Sequence, residues 1–176
     1  MEDGDRLQYA GFMDIDVRIE LAGAADRDIL VDLIARIEVE DHPENSEILQ
    51  HAPAAARRSL ERYDVLSSNT VWCLIAYDGE RPVGLAILTR VPKLDDRLGF
   101  LYLDELHVLG PWRRCGIGRA LLRRAIELSR ELDLAGVRLL TRIENEPARA
   151  LYESAGFRGG QTMLYQLTLD RENAES

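Results

Sequence analysis

The chain of 176 residues is short of several features, each of which would mark a class of protein. It has two cysteines, Cys73 and Cys115, too few for a disulfide framework and without metal-ligand spacing. No apolar run approaches the ~18–20 residues of a membrane span. Positive charge is scarce: 22 Lys and Arg stand against 31 Asp and Glu, a formal net charge of −9. Phosphate contacts need cations, so this deficit argues against a general binder of nucleic acid or of an anionic membrane. The opening Met1-Glu2-Asp3-Gly4-Asp5 is acidic where a secretory signal would be basic, and a cytoplasmic location is expected. Internal repeats and low-complexity linkers are also absent. What remains, 46% apolar and 30% charged, is the balance of one globular domain with a core.

Residues 1–14 read as an acidic, Gly-containing leader with Met13 as an alternative start, 15–170 as the domain, and 171–176 as a polar tail. Val17–Leu21 alternates as a first strand. Ala25–Val39 is an amphipathic helix with Ile29, Leu30, Leu33, Ile34 and Ile37 on one face, broken at Asp41–Asn45. A second helix is expected over Ala54–Tyr63. Val71–Tyr77 and Val83–Val91 read as strands of a hairpin turning at Asp78–Pro82, and Phe100–Val108 as a long strand. The rhythm then changes to a helix from Gly116 to Leu132, a strand Val137–Ile143 and a short helix Pro147–Ala155. Gly156 falls at the left-handed cap of that helix, with Phe157 placed to close it. Thr162–Leu169 alternates as a final strand. Hairpins followed by one strand–helix–strand crossover predict a mixed α/β fold, its mostly antiparallel sheet flanked by helices on both faces.

Chemistry concentrates at Trp112-Arg113-Arg114-Cys115-Gly116-Ile117-Gly118-Arg119, between a strand and an amphipathic helix. Unpaired backbone N–H groups at a helix N-terminus favour an anion, and glycines let the backbone wrap it. Arg113, Arg114, Arg119, Arg123 and Arg124 form a basic island with no acid between them, which suits a compact polyanion. The plainer alternative is a tight turn before an arginine-rich solvated face. Leu121 stands where a dinucleotide fingerprint needs its third glycine, and no Gly-Lys-Ser/Thr occurs.

In this stretch the chain resembles the GNAT superfamily of N-acetyltransferases, which use acetyl-coenzyme A. Leu106-His107-Val108 is similar to the strand whose exposed backbone pairs with the pantetheine arm. Arg113-Arg114-Cys115-Gly116-Ile117-Gly118 is similar to the Arg/Gln-x-x-Gly-x-Gly/Ala loop that holds the pyrophosphate. Asn145–Phe157 is similar to the Asn-x-x-Ala-x-x-Leu-Tyr-x-x-x-Gly-Phe block. The resemblance implies a sheet splayed at the cofactor, with Leu106, His107, Val108, Arg113 to Arg119, Asn145 and Tyr152 around it. No metal is implied.

The resemblance also implies roles. Tyr152 matches the tyrosine that protonates the departing thiolate; by spacing with Ala148 and Ala155 alone it would be a core aromatic. Glu105 is the first candidate for the base that deprotonates the amine and Asp104 the second, directly or through a water. Neighbours on a strand face opposite ways, but a bulge would reverse the count. A main-chain N–H near Val108 is the expected oxyanion donor. His107, between apolar strand positions, reads as a packed residue and not as a base, while His42 and His51 read as surface residues, with a place lining the acceptor cleft as the alternative for His42 beside Pro43. Trp72 and Trp112 read as packing residues. The acidic remainder of the chain favours a cationic amine acceptor, small molecule or protein. A catalytically inactive coenzyme A-binding sensor is the second reading and a nucleic-acid binder the third. A homodimer joined through a sheet edge or the C-terminal strand is a further expectation from relatives.

Overall fold

The computed structural model describes residues 16–168. Leu169 and the expected leader and tail lie outside the described residues. The elements run β1 (Val17–Leu21), α1 (Arg27–Asp41), α2 (Ser46–Arg62), β2 (Val71–Asp78), β3 (Arg81–Val91), β4 (Phe100–Val108), α3 (Ile117–Glu131), β5 (Val137–Leu139) and α4 (Glu146–Ser154). Short 3-10 turns, Ala24–Asp26 and Gly110–Trp112, precede α1 and α3. The first delays α1 by two residues beyond the expected Ala25: the Asp26 carboxylate accepts from the Gly23 amide at 2.8 Å.

The strands form one sheet in the order β1-β2-β3-β4-β5, antiparallel except for the parallel β4–β5 pair. This is the mixed sheet expected, and α3 supplies the long connection a parallel pair needs. Alternation along the strands divides the core in two. On β2, Leu74 and Ala76 pack with Ile117, Leu121 and Leu122 of α3. Cys73, Ile75 and Tyr77 pack on the other face with Leu30 and Leu33 of α1 and Leu60 of α2. Helices therefore cover both faces.

Three expectations need correction. The second helix starts at Ser46, eight residues before the expected Ala54. Asn45 caps it by accepting from the amides of Glu47 (3.1 Å) and Ile48 (3.3 Å). The helix then runs through Pro53, because burial of Ala52, Ala56 and Leu60 outweighs one missing N–H donor. The fifth strand stops at Leu139 instead of Ile143, and Leu140 and Ile143 are exposed. Residues 162–168 form no strand. Their alternation has no partner, since β5 presents an edge of only three residues, and Met163, Leu164, Tyr165 and Leu167 stay exposed.

One irregularity positions the site. Ile87 pairs with Glu105 but Leu88 pairs with Leu103, so Asp104 is an extra residue in β4. Such a bulge shifts the alternation by one place. Leu101 and Leu103 face α3 before it, and Leu106 and Val108 face α3 after it. Glu105 and His107 are thereby turned to the α1 side.

Candidate active site

The Gly110–Trp112 turn leads into the loop ahead of α3. Trp112 anchors it, donating from Nε1 to Asp78 Oδ2 at 2.8 Å and packing against both cores. Arg114 (φ +66°) and Gly116 (φ +85°) both take left-handed backbone, which winds the loop outward. Gly116 caps α3, and the first amide bonded back across the cap is that of Ala120, to the Gly116 carbonyl at 3.0 Å. The amides of Ile117, Gly118 and Arg119 have no backbone acceptor among the described residues. A positive helix end with free donors, open space beside Gly116 and an exposed loop is a fit for a diphosphate. Gly118 has a different reason. A Cβ there would lie 3.1 Å from Leu151 Cδ2, which would have to give by a few tenths of an ångström, and at an ordinary 3.7 Å from Leu106 Cδ2.

The basic island is smaller than the sequence count implies. Arg124 bonds Glu131 at 2.7 Å and Arg123 lies 3.9 Å from Glu127, one or two turns further along α3. Arg113 donates to the Val108 carbonyl (2.8 Å) and to Glu40 (3.2 Å). Arg119 donates to the Ser154 hydroxyl at 3.0 Å. Arg114 forms no ion pair among the described residues. Arg114 and Arg119 are the side chains left to meet an anion at this loop. Cys115 is exposed, and its thiol donates to the Arg113 carbonyl at 3.4 Å.

Next to the loop, β5 pairs with β4 only over Leu101–Leu103. From the bulge onward that edge of β4 has no strand partner among the described residues. The His107 carbonyl points to β3, since a Cβ on Gly84 would meet it at 2.7 Å. The polar groups of Leu106 and Val108 therefore face the open edge, where an amide-rich chain would pair as an added strand. Arg113 already occupies the Val108 carbonyl.

On the α1 face, burial pushes the Glu105 carboxyl above its ordinary range; nearby His107 pulls it down, and Asp104 and Glu38 push it further up. The Glu105 side chain is 52% exposed, so its desolvation is partial. Asp104, the bulge residue, is exposed. His107 is not the packed residue expected: it is partly exposed, 3.9 Å from both Asp41 and Glu105. Beside Asp41 lies a shallow, open depression of about 610 Å³ lined by the exposed Asp41, His42, Pro43, Glu44, Asn45 and Glu47. His51 lines a smaller groove between α1 and α2 with Ile34 and Glu38.

The short helix α4 completes the site. Asn145 accepts from the Ala148 amide at 3.2 Å, so its side-chain oxygen caps α4. At the far end the Phe157 amide donates to the Tyr152 carbonyl (3.1 Å) and the Gly156 amide to that of Glu153 (3.0 Å), a Schellman closure. The Tyr152 and Phe157 rings pack with centroids 6.0 Å apart. Tyr152 is half-buried, and burial pushes its phenol above the ordinary range, so the proton stays on it through neutral pH.

Sequence reasoning missed Glu40. Both its carboxylate oxygens accept from the Gly110 amide, at 2.9 and 3.0 Å, and one also meets Arg113. One acid among several at a helix end carries no signal of this.

A solved structure described as a probable acetyltransferase matches with a TM-score of 0.72 at 26% identity, covering 88% of this chain and 99% of that one. An aminoglycoside acetyltransferase from an uncultured soil metagenomic sample, in complex with sisomicin, matches with a TM-score of 0.70 at 19% identity, covering 88% and 97%. The aminoglycoside N-acetyltransferase AAC(6')-Iy in complex with CoA matches with a TM-score of 0.69 at 14% identity, covering 90% and 98%. The last two likenesses establish the fold alone. No curated protein matches the sequence. No helix among the described residues is long and apolar enough to cross a membrane. The sequence model described as the acetyltransferase (GNAT) family matches residues 32–157 of the 176, and the chain belongs to that family.

Proposed function

We propose that this acetyltransferase moves an acetyl group from acetyl-coenzyme A to a primary amine of a cationic acceptor, directly, with both bound at once. The observation that carries this reading is the outward-wound loop with free amides at Ile117, Gly118 and Arg119, set beside the open edge of β4. Those amides, with Arg114 and Arg119, would hold the diphosphate, and the backbone of Leu106 and Val108 the pantetheine arm. The cosubstrate supplies an acyl carbon activated as a thioester. Asn145, at the head of α4, would contact it from the far side.

Glu105 takes the proton that keeps the acceptor nitrogen from attacking, since a Lys-like ammonium has a pKa near 10.4 and no free lone pair. Asp104, on the bulge, is the second candidate. The Val108 N–H faces the open edge and would donate to the oxygen as it gains charge. Tyr152, protonated at neutral pH, would give its proton to the leaving sulfur. The depression's carboxylates, Asp41, Glu44 and Glu47, favour a cationic acceptor.

The test is a panel of spermidine, sisomicin, a lysine peptide and a free-amino-terminal peptide with acetyl-coenzyme A, following thiol release. Release above hydrolysis with one amine, lost by about 100-fold or more in Tyr152→Phe while acetyl-coenzyme A still binds, supports the reading. Tight cofactor binding with no release from any amine would make the chain a coenzyme A-binding sensor.

A further inference from the structure

The α1–α2 pair carries a groove of about 380 Å³, within the size range of small-ligand sites. Two ion pairs, Arg57 with Asp28 (2.8 Å) and Arg27 with Glu61 (3.5 Å), tie the start of α1 to the end of α2. The helices therefore run antiparallel, and Glu38 near the end of α1 stands by Ile48 at the start of α2. Buried Ala52 and Ala56 lie at the bottom of the groove, with half-buried Ile34 and Ile48 beside them and exposed Ala55 at the lip. The charge on this lining has one sign. Glu38 and Glu47 border one end, and no Lys or Arg lines the groove among the described residues.

The acidic end leads to the site. Asn45 and Glu47 line both the groove and the depression beside Asp41. Ile34, Glu38 and Asp41 recur at i, i+4 and i+7, which is one face of α1. Asp41 Oδ2 ends that stripe 3.9 Å from His107 Nδ1, and Glu105 is on the same side of β4 two residues earlier. Glu38 is near enough for its charge to push the Glu105 carboxyl up.

We propose that this groove seats the apolar body of the acceptor, an aryl or branched alkyl group on a short arm whose single primary ammonium is drawn by Glu38 and Glu47 to the end beside Glu105. This rests on the reading of the chain as an amine acetyltransferase. The methyl groups of Ile34, Ile48 and the alanines offer contact but no hydrogen bond. A ligand polar along its whole length would lose water there without replacement, and a polyamine would have to set a second ammonium against the isoleucines. Transfer forms the nitrogen–carbon bond as the carbon–sulfur bond breaks, leaving an amide, coenzyme A thiol and one proton released to water. The amide is neutral, so the pull of Glu38 and Glu47 ends with the reaction and the product can leave.

The test is thiol release with acetyl-coenzyme A from amines that differ in their bodies: ethylamine, phenethylamine and spermidine. Phenethylamine should exceed ethylamine in kcat/KM by at least about tenfold, and spermidine should fall below phenethylamine. Ala55→Leu fills the groove from its lip, at a helix position that leucine suits, and should cut the phenethylamine-to-ethylamine ratio at least about fivefold. A reading on the unaltered protein needs no variant to fold: phenethylamine should shift the NMR signals of isotope-labelled Ile34 and Ile48 methyl groups. Equal kcat/KM for ethylamine and phenethylamine, an unchanged ratio in Ala55→Leu, or unmoved Ile34 and Ile48 methyls overturns the proposal. Turnover of spermidine or sisomicin with phenethylamine ignored defeats this inference alone. Methyl shifts without thiol release from any amine defeat the acetyltransferase reading and leave the groove as a binding site for such amines.

Discussion

Replacing Gly116 by alanine puts a methyl group into open space, because nothing lies within 4 Å of where Cβ would sit. Any effect has to come from the backbone. Gly116 caps α3 at φ +85° and ψ −5°, a left-handed shape that costs an L-residue about 1–2 kcal/mol. That cost divides between two readouts. If the fold holds the turn, the whole of it appears as lost stability, about 2–8 °C in Tm for a chain of this size. If the turn relaxes, stability is kept, and the cost returns when acetyl-coenzyme A re-imposes the shape, as about 5–30-fold weaker binding. Scanning calorimetry and titration calorimetry with acetyl-coenzyme A read both, and the two losses should sum to about 1–2 kcal/mol. Gly118→Ala is the control. Its crowding falls on Leu151 and Leu106 side-chain ends, and alanine favours a helix by about 0.5–1 kcal/mol, so the net change should be small. A Gly116→Ala protein with unchanged Tm and unchanged affinity would refute the argument that this left-handed turn shapes the diphosphate site.

Glu105→Gln should lower kcat by about 10²–10⁴-fold. It should also stabilise the protein slightly at neutral pH, by less than about 1 kcal/mol given how open the carboxyl is. The sign follows from a titration raised in the folded state: the ionised form burdens the fold as pH rises, so the gain should vanish in acid-melting experiments below about pH 4. Of the two thiols, only exposed Cys115 should react with iodoacetamide in the native protein, because burial pushes Cys73 up to about 12. Mass spectrometry should find that acetyl-coenzyme A slows the labelling of Cys115, and no protection would count against the loop as its site. Asn145→Ala should cost about 1 kcal/mol of stability by removing the α4 cap, while Asn145→Asp, which keeps the accepting oxygen, should hold the Tm.

The readable parts of the chain were those whose structure is local. Alternation located β1 to β4 closely, and the glycines and helix start around Gly116 marked a loop with free amides, because displaying amides at a helix end needs only neighbouring residues. Features that depend on distant partners were not legible. Alternation in 162–168 says that two faces differ, but not that another strand stands ready to pair. The start of α2 turned on a competition between the Asn45 cap and Pro53, decided by packing against α1. A run of arginines ending at Arg124 looked unneutralised because Glu127 and Glu131 fall just beyond it. The facing of Glu105 and His107 depends on one bulged residue between two adjacent acids, where counting gives no answer.

The Glu40 carboxylate joins the end of α1 to the Gly110 amide and the Arg113 guanidinium. The helix beside the acidic depression and the turn opening the loop proposed for the diphosphate are thus tied to one carboxylate. His42, Glu44 and Glu47 line the depression without joining the Glu40 contacts to Gly110 and Arg113, so they can change without disturbing that link. A change that tilts the end of α1 would also move the turn that opens the loop proposed to hold coenzyme A. If the depression takes the acceptor as proposed, adaptation to new amines would run through its rim and leave the Glu40 link in place.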